Sequence, residues 1–166
     1  MISKRLFICT CILLVVMTHS HAQGLTKWSL CPAFEVNYTG YNSLINLAYT
    51  AKEKHVLEAG ASYNMSDGFT TNPTIGVNIS YRYKILTSDR WSAAMGVDYR
   101  RQKPLAIVNI QMLCYTTNLV YKATKSINIH TRLGYGVAAE RARSAGSFTQ
   151  SNNITGLFQI GCGYHL

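Results

Sequence analysis

The chain has 166 residues, of which 48% are hydrophobic and 11% aromatic, with 16 basic residues against 7 acidic ones. That length fits one domain, and the apolar content excludes a disordered chain. Five cysteines, three of them after the first 22 residues, are too few and too odd in number for a disulfide scaffold.

The first segment reads as a secretory signal peptide, residues 1–22. Lys4 and Arg5 form a positive start, Leu6 to Met17 is an apolar run, and Ser20-His21-Ala22 supplies small residues where a signal peptidase reads. The run is shorter than the ~20 residues a spanning helix needs. Removing it leaves 14 basic and 7 acidic residues, a mature net charge of +7. An exported basic protein is drawn to anionic surfaces, and nucleic acid is not an expected partner outside the cytoplasm.

Residues 23–166 alternate apolar and polar side chains, the period of β-strands. Trp28, Leu30, Pro32, Phe34, Val36 and Tyr38 form the first apolar row, and Ile45, Leu47, Tyr49 and Ala51 the second. Leu57 to Met65 gives the third. The fourth runs unbroken from Ile75 to Ile85. Trp91 to Tyr99 forms the fifth, Leu113 to Tyr121 the sixth with Thr117 interrupting, Ile127 to Val137 the seventh, and Ile154 to Leu166 the eighth. In residues 105–112 the phase breaks at Asn109 and Gln111, which predicts a bulge or a loop packed on the barrel mouth.

Connections at 52–54, 86–89 and 123–126 are tight, whereas the four at the other end are 39–42, 66–73, about 101–111 and about 140–153, all but the first longer and rich in Gly, Ser, Asn and charge. None of the apolar rows carries a charge. Their aromatic residues gather toward strand ends, as in the two interfacial girdles of a membrane barrel. The expected fold is all-β: an eight-stranded antiparallel up-and-down transmembrane β-barrel with its apolar rows toward lipid. The last row, with Phe158, Ile160, Cys162 and Tyr164 at alternate places, is similar to the C-terminal insertion signal of such barrels, but ends in Leu166 rather than an aromatic residue.

On these residues the chain resembles the small eight-stranded outer-membrane β-barrels of Gram-negative bacteria, such as the membrane domain of outer-membrane protein A. The resemblance implies outer-membrane location, a porin-like wall, and outer-membrane lipids, lipopolysaccharide and the barrel assembly machinery as partners of a monomer. It rests on pattern, so it implies fold better than activity.

Eight strands enclose a space that side chains can fill. The inward row is predicted to hold a polar network of Glu35, Glu58, Arg82, Asp98, Arg100 and Arg132, which plugs the lumen. Arg100, Arg101, Lys103, Arg141 and Arg143 stand in or beside the third and fourth long loops, as candidate contacts for a polyanion at the surface. No catalytic group is expected. Ser66 and Asp67 lie together, but the mature histidines, His55, His130 and His165, fall toward the opposite end. No metal or other cofactor is expected either, since His130 and His165 lack a third ligand. The alternatives are a secreted lipocalin-like barrel with an apolar ligand cavity and, further off, a lipid A-modifying barrel enzyme.

Overall fold

The computed structural model describes residues 28–65, 74–105, 107–144 and 147–166. Residues 1–22, expected to be a signal peptide, and Ser66 and Asp67 lie outside the described residues. Eight strands follow in chain order: β1 (Trp28–Asn37), β2 (Gly40–Ala51), β3 (His55–Asn64), β4 (Ile75–Thr87), β5 (Trp91–Leu105), β6 (Val108–Lys122), β7 (Ile127–Ser144) and β8 (Ser147–His165). Each pairs antiparallel with its sequence neighbours, and β8 returns to β1 to close the barrel.

Closure fixes the stagger of the wall. The register runs Ala33↔Leu44, Leu44↔Ser62, Ser62↔Gly76, Gly76↔Gln102, Gln102↔Ile110, Ile110↔Glu140 and Glu140↔Ser151. Ala33 nevertheless meets Gly161 on the closing side, ten residues beyond Ser151. Strands in a barrel so staggered must tilt. Residues distant in register are thereby brought to the same depth of the lumen.

The wall is inside out relative to a soluble protein. Among the described residues, twenty-two polar or charged ones are buried against eleven apolar ones, while 31 large apolar or aromatic side chains are exposed. Along β4, Ile75, Val77 and Ile79 point outward while Asn78, Ser80 and Arg82 are buried. In water that outer surface would be a very large apolar patch; in hydrocarbon it is the matched surface. Trp28 stacks on Tyr49 at 4.7 Å and Trp91 on Tyr121 at 4.6 Å, both at the short-turn end, where an amphipathic ring spans the lipid–water boundary.

Two expectations change, and a third is met in part. The stretches read as the third and fourth long loops are strand: β5 and β6 are joined through 106–107, and β7 and β8 through 145–146. Their polar composition mimics a loop, but the backbone ladder continues through it, from Val137↔Ile154 to Ser144↔Ser147. The break in phase at Asn109 and Gln111 falls beside a register shift in the β5–β6 ladder, between Gln102↔Ile110 and Leu105↔Val108, so the expected irregularity is present, on the β5 side, while β6 itself stays strand and forms no loop. Above the apolar belt the outer face turns polar, and Ile110 and Met112 point inward, where they pack with Ala138. Tyr38 is not in the outer girdle. It lies in the β1–β2 turn against that inner apolar cluster, its hydroxyl donating to Glu140 at 3.4 Å and accepting from Asn153 at 3.0 Å.

Pro32 sits within the ladder rather than before it. It pairs in register with Ile45 of β2, while the β8 ladder steps from Leu30↔Tyr164 to Ala33↔Gly161 across it. A proline can stand there because its missing N–H falls on the interrupted side. Gly161 lies against that gap: a Cβ on it would come within 2.5 Å of the Pro32 carbonyl oxygen and 2.6 Å of the Ala33 Cβ.

Candidate functional site: lumen and outer rim

Inward parity and the stagger together bring six charges into one chain across the lumen. Arg82 (β4) and Arg132 (β7) both bind Glu58 (β3), Arg132 reaching its Oε2 at 3.0 Å. Arg132 also binds Asp98 (β5) at 3.1 Å. Arg100, on the same strand as Asp98, stands 3.6 Å from it and 2.5 Å from Glu35 of β1. The order is Arg82, Glu58, Arg132, Asp98, Arg100, Glu35: alternating in sign, and three of each. No more than 4% of any of the six residues is exposed.

A buried charge is tolerable only when paired and hydrogen-bonded. Neutral side chains supply part of what the ion pairs leave open, while Arg100 Nε and Nη1 and Arg132 Nε keep no hydrogen-bond partner. Asn46 donates to Glu58 Oε1 at 2.6 Å, Asn78 donates to Asn46 at 2.8 Å, and Arg100 donates to Gln159 at 3.2 Å. Above this layer Gln102 donates to Asn42 at 2.8 Å, and then the Ile110–Met112–Ala138 cluster fills the lumen. The ion chain and the apolar cluster above it thus occupy successive levels of the lumen.

The histidines are tied into neutral roles. Gln159 and His130 meet at 3.2 Å. Ser29 Oγ stands 2.8 Å from His165 Nδ1, a pair the sequence reading missed because the residues belong to the two ends of the chain. Asn128 Nδ2 donates to His165 Nε2 at 3.3 Å. The His165 ring is thus held between a serine and an asparagine, with no carboxylate among its hydrogen-bond partners. Among the described residues no three His, Cys, Asp or Glu side chains gather as metal ligands. Cys31, Cys114 and Cys162 are all free thiols.

The surface candidates separate by parity. Arg100 is not one of them: it points inward, 2% exposed, in the ion chain. Arg101 and Lys103, one and three places on, point out from β5, and Arg141 points out from β7. Arg143 is also in β7, and its side chain lies outside the described part. Leu113, Val137 and Ile154, in register with one another, are the last large side chains of the continuous outward apolar belt on β6, β7 and β8. The next outward positions are Gln111, Ala139 and Asn152, with Arg101 opposite Gln111. Asn109 lies opposite Arg141, and Arg101 Nε donates to Asn109 Oδ1 at 3.1 Å. The basic groups thus begin about 7 Å, two residues of strand, beyond the apolar belt.

No family model and no curated protein matches the chain. Solved structures do. The N-terminal β-barrel domain of Pseudomonas aeruginosa OprF superposes with a TM-score of 0.56 at 10% identity, covering 86% of this chain and 98% of that one. Neisserial surface protein A gives 0.52 at 14% identity, covering 84% and 94%. The fold is that of the small eight-stranded outer-membrane barrels. A designed transmembrane barrel, TMB2.3, matches as well, with a TM-score of 0.56 at 10% identity over 87% of this chain and 97% of that one. A fold shared with a designed protein carries architecture and no particular activity.

Proposed function

We propose that the chain is an integral outer-membrane β-barrel with a closed lumen, in a structural and surface-interaction role, whose outer rim holds anionic lipopolysaccharide phosphates. The observation that carries this reading is the placement of Arg101, Lys103 and Arg141 on the outward face just past Leu113, Val137 and Ile154. At that height phosphates flank the hydrocarbon, and a guanidinium can meet phosphate with paired hydrogen bonds. None of the three basic residues forms an ion pair with a carboxylate among the described residues, so their charge is available. The lipocalin-like alternative needs an apolar cavity, and the ion chain occupies that space.

The test is binding of purified, folded barrel to lipopolysaccharide across a salt series. Exposed attraction fades as the screening length falls from about 10 Å at 0.1 M to about 3 Å at 1 M salt. Neutralising Arg101, Lys103, Arg141 and Arg143 should remove most of the binding and leave the gel shift between boiled and unboiled protein intact. Salt-independent binding, or full binding by the variant, refutes the rim as the contact. Arg100→Gln is the contrasting variant: it should disturb stability and leave lipopolysaccharide affinity where it was.

A further inference from the structure

The lumen is not uniformly filled. Below the ion chain, toward the short-turn end, lies a cavity of about 130 Å³, several times the ~30 Å³ share of a water molecule. Ala94 and Ser92 of β5 leave the space, and Lys84 of β4 and Lys122 of β6 line it from either side of that strand. Neither lysine has a carboxylate at ion-pair distance among the described residues; Glu53 and Asp89 in neighbouring turns do not reach them. Glu58 is the one carboxylate in the lining, and its oxygens are already taken by Arg82, Arg132 and Asn46. Lys84 is half-buried and feels Glu53 only beyond ion-pair distance, Lys122 is exposed at the cavity's rim, and no ion pair neutralises either, so the lining carries a net positive charge.

A second observation points to an occupant. Asn118, 5% exposed, lines the same cavity, and its Oδ1 has no hydrogen-bond partner. Buried acceptors are rarely left without a donor. The cavity thus offers ammonium donors for anionic oxygens and one buried acceptor for a proton.

We propose that this vestibule is a binding site for a small oxyanion that carries its own hydroxyl: inorganic phosphate, or the phosphate of a monoester. Lys84 and Lys122 hold its charged oxygens and Asn118 Oδ1 accepts its P–OH. Sulfate and phosphodiesters lack that proton at neutral pH, so the site discriminates against sulfate and against the headgroup of an ordinary phospholipid. The assignment concerns the opposite end of the barrel from the basic rim and does not depend on it.

The experiment uses the folded full barrel in a phosphate-free maltoside detergent, titrated with inorganic phosphate by calorimetry at low ionic strength. Saturable binding is expected, at least tenfold weaker in the Lys84→Ala/Lys122→Ala variant, whose heat-modifiable mobility reports that it is still folded. Sulfate should bind several-fold more weakly than phosphate, and Asn118→Ala should erase that preference. Added phosphatidylglycerol should not compete. No saturable phosphate binding, or equal affinity in the double-lysine variant, overturns the site. Equal affinity for sulfate overturns the role of Asn118, and competition by phosphatidylglycerol overturns the choice of free phosphate over a lipid headgroup.

Discussion

Glu58→Ala removes the middle of the ion chain. Glu58 is 3% exposed and receives Arg82, Arg132 and Asn46. Arg132 keeps Asp98, but Arg82 keeps only Ser80, at 3.2 Å. Breaking a buried pair from one side costs about 3–5 kcal/mol, because the remaining charge is left without compensation. The adjoining vestibule lets water reach Arg82, which places the loss near the lower end, about 3 kcal/mol. At a urea dependence of roughly 1–3 kcal/mol per molar, the unfolding midpoint should fall by about 1–3 M. Trp28 and Trp91 report unfolding from lipid vesicles by fluorescence, since both leave the interface. Adding Arg82→Ala removes the orphaned charge, so the double variant should recover about half of the loss. A Glu58→Ala barrel within about 0.5 kcal/mol of the parent, or a double variant whose loss is the sum of the singles, would show that these charges are independently hydrated and that the chain is not a coupled unit.

Other outcomes follow from the same geometry. Ile79→Arg, on the lipid face at mid-strand, should cost about 2–4 kcal/mol in a bilayer. Ser92→Arg, inward at the wet vestibule, should cost clearly less in the same unfolding assay, and equal losses would reject the assignment of faces. Gly161→Val should cost about 1–3 kcal/mol by overpacking against Pro32 and Ala33, and should be read as a lowered temperature for loss of the compact gel band. In planar bilayers the parent barrel should stay silent; steady conductance from it would contradict a filled lumen.

The parts legible in the sequence were those set by one local rule. Ile75, Val77 and Ile79 alternate with Gly76, Asn78 and Ser80 because the wall divides two media, and a strand has a period of two. That rule fails where both sides of the wall are polar. Along Arg101, Gln102 and Lys103, or Gln150 to Asn153, ladder and loop have the same composition, so the upper halves of β5 to β8 read as loops. It inverts at Ile110 and Met112, which are apolar because the inside is dry there while the outside is not. The partners of the lumen charges lie on another level again. Arg132 and Glu58 are far apart in register, on β7 and β3. They meet because the wall is staggered by closure, which no short stretch encodes. Tyr38 was misplaced for a simpler reason: it continues the outward parity of β1 on paper, but the chain has already turned.

The interrupted ladder at Pro32 has a kinetic meaning. Every other joint in the wall links strands that follow one another along the chain, and each can zip as a hairpin. The β1–β8 joint must bring together groups such as Ser29 and His165, 136 residues apart. It is also a short ladder, reaching only Val36↔Phe158 with a gap on the way. The entropy of closing so long a loop must be met before any of its hydrogen bonds form. Closure at this joint is therefore the late event of assembly, and the same joint is the first to part when the wall breathes. A barrel built this way opens sideways between its first and last strands before it loosens anywhere else.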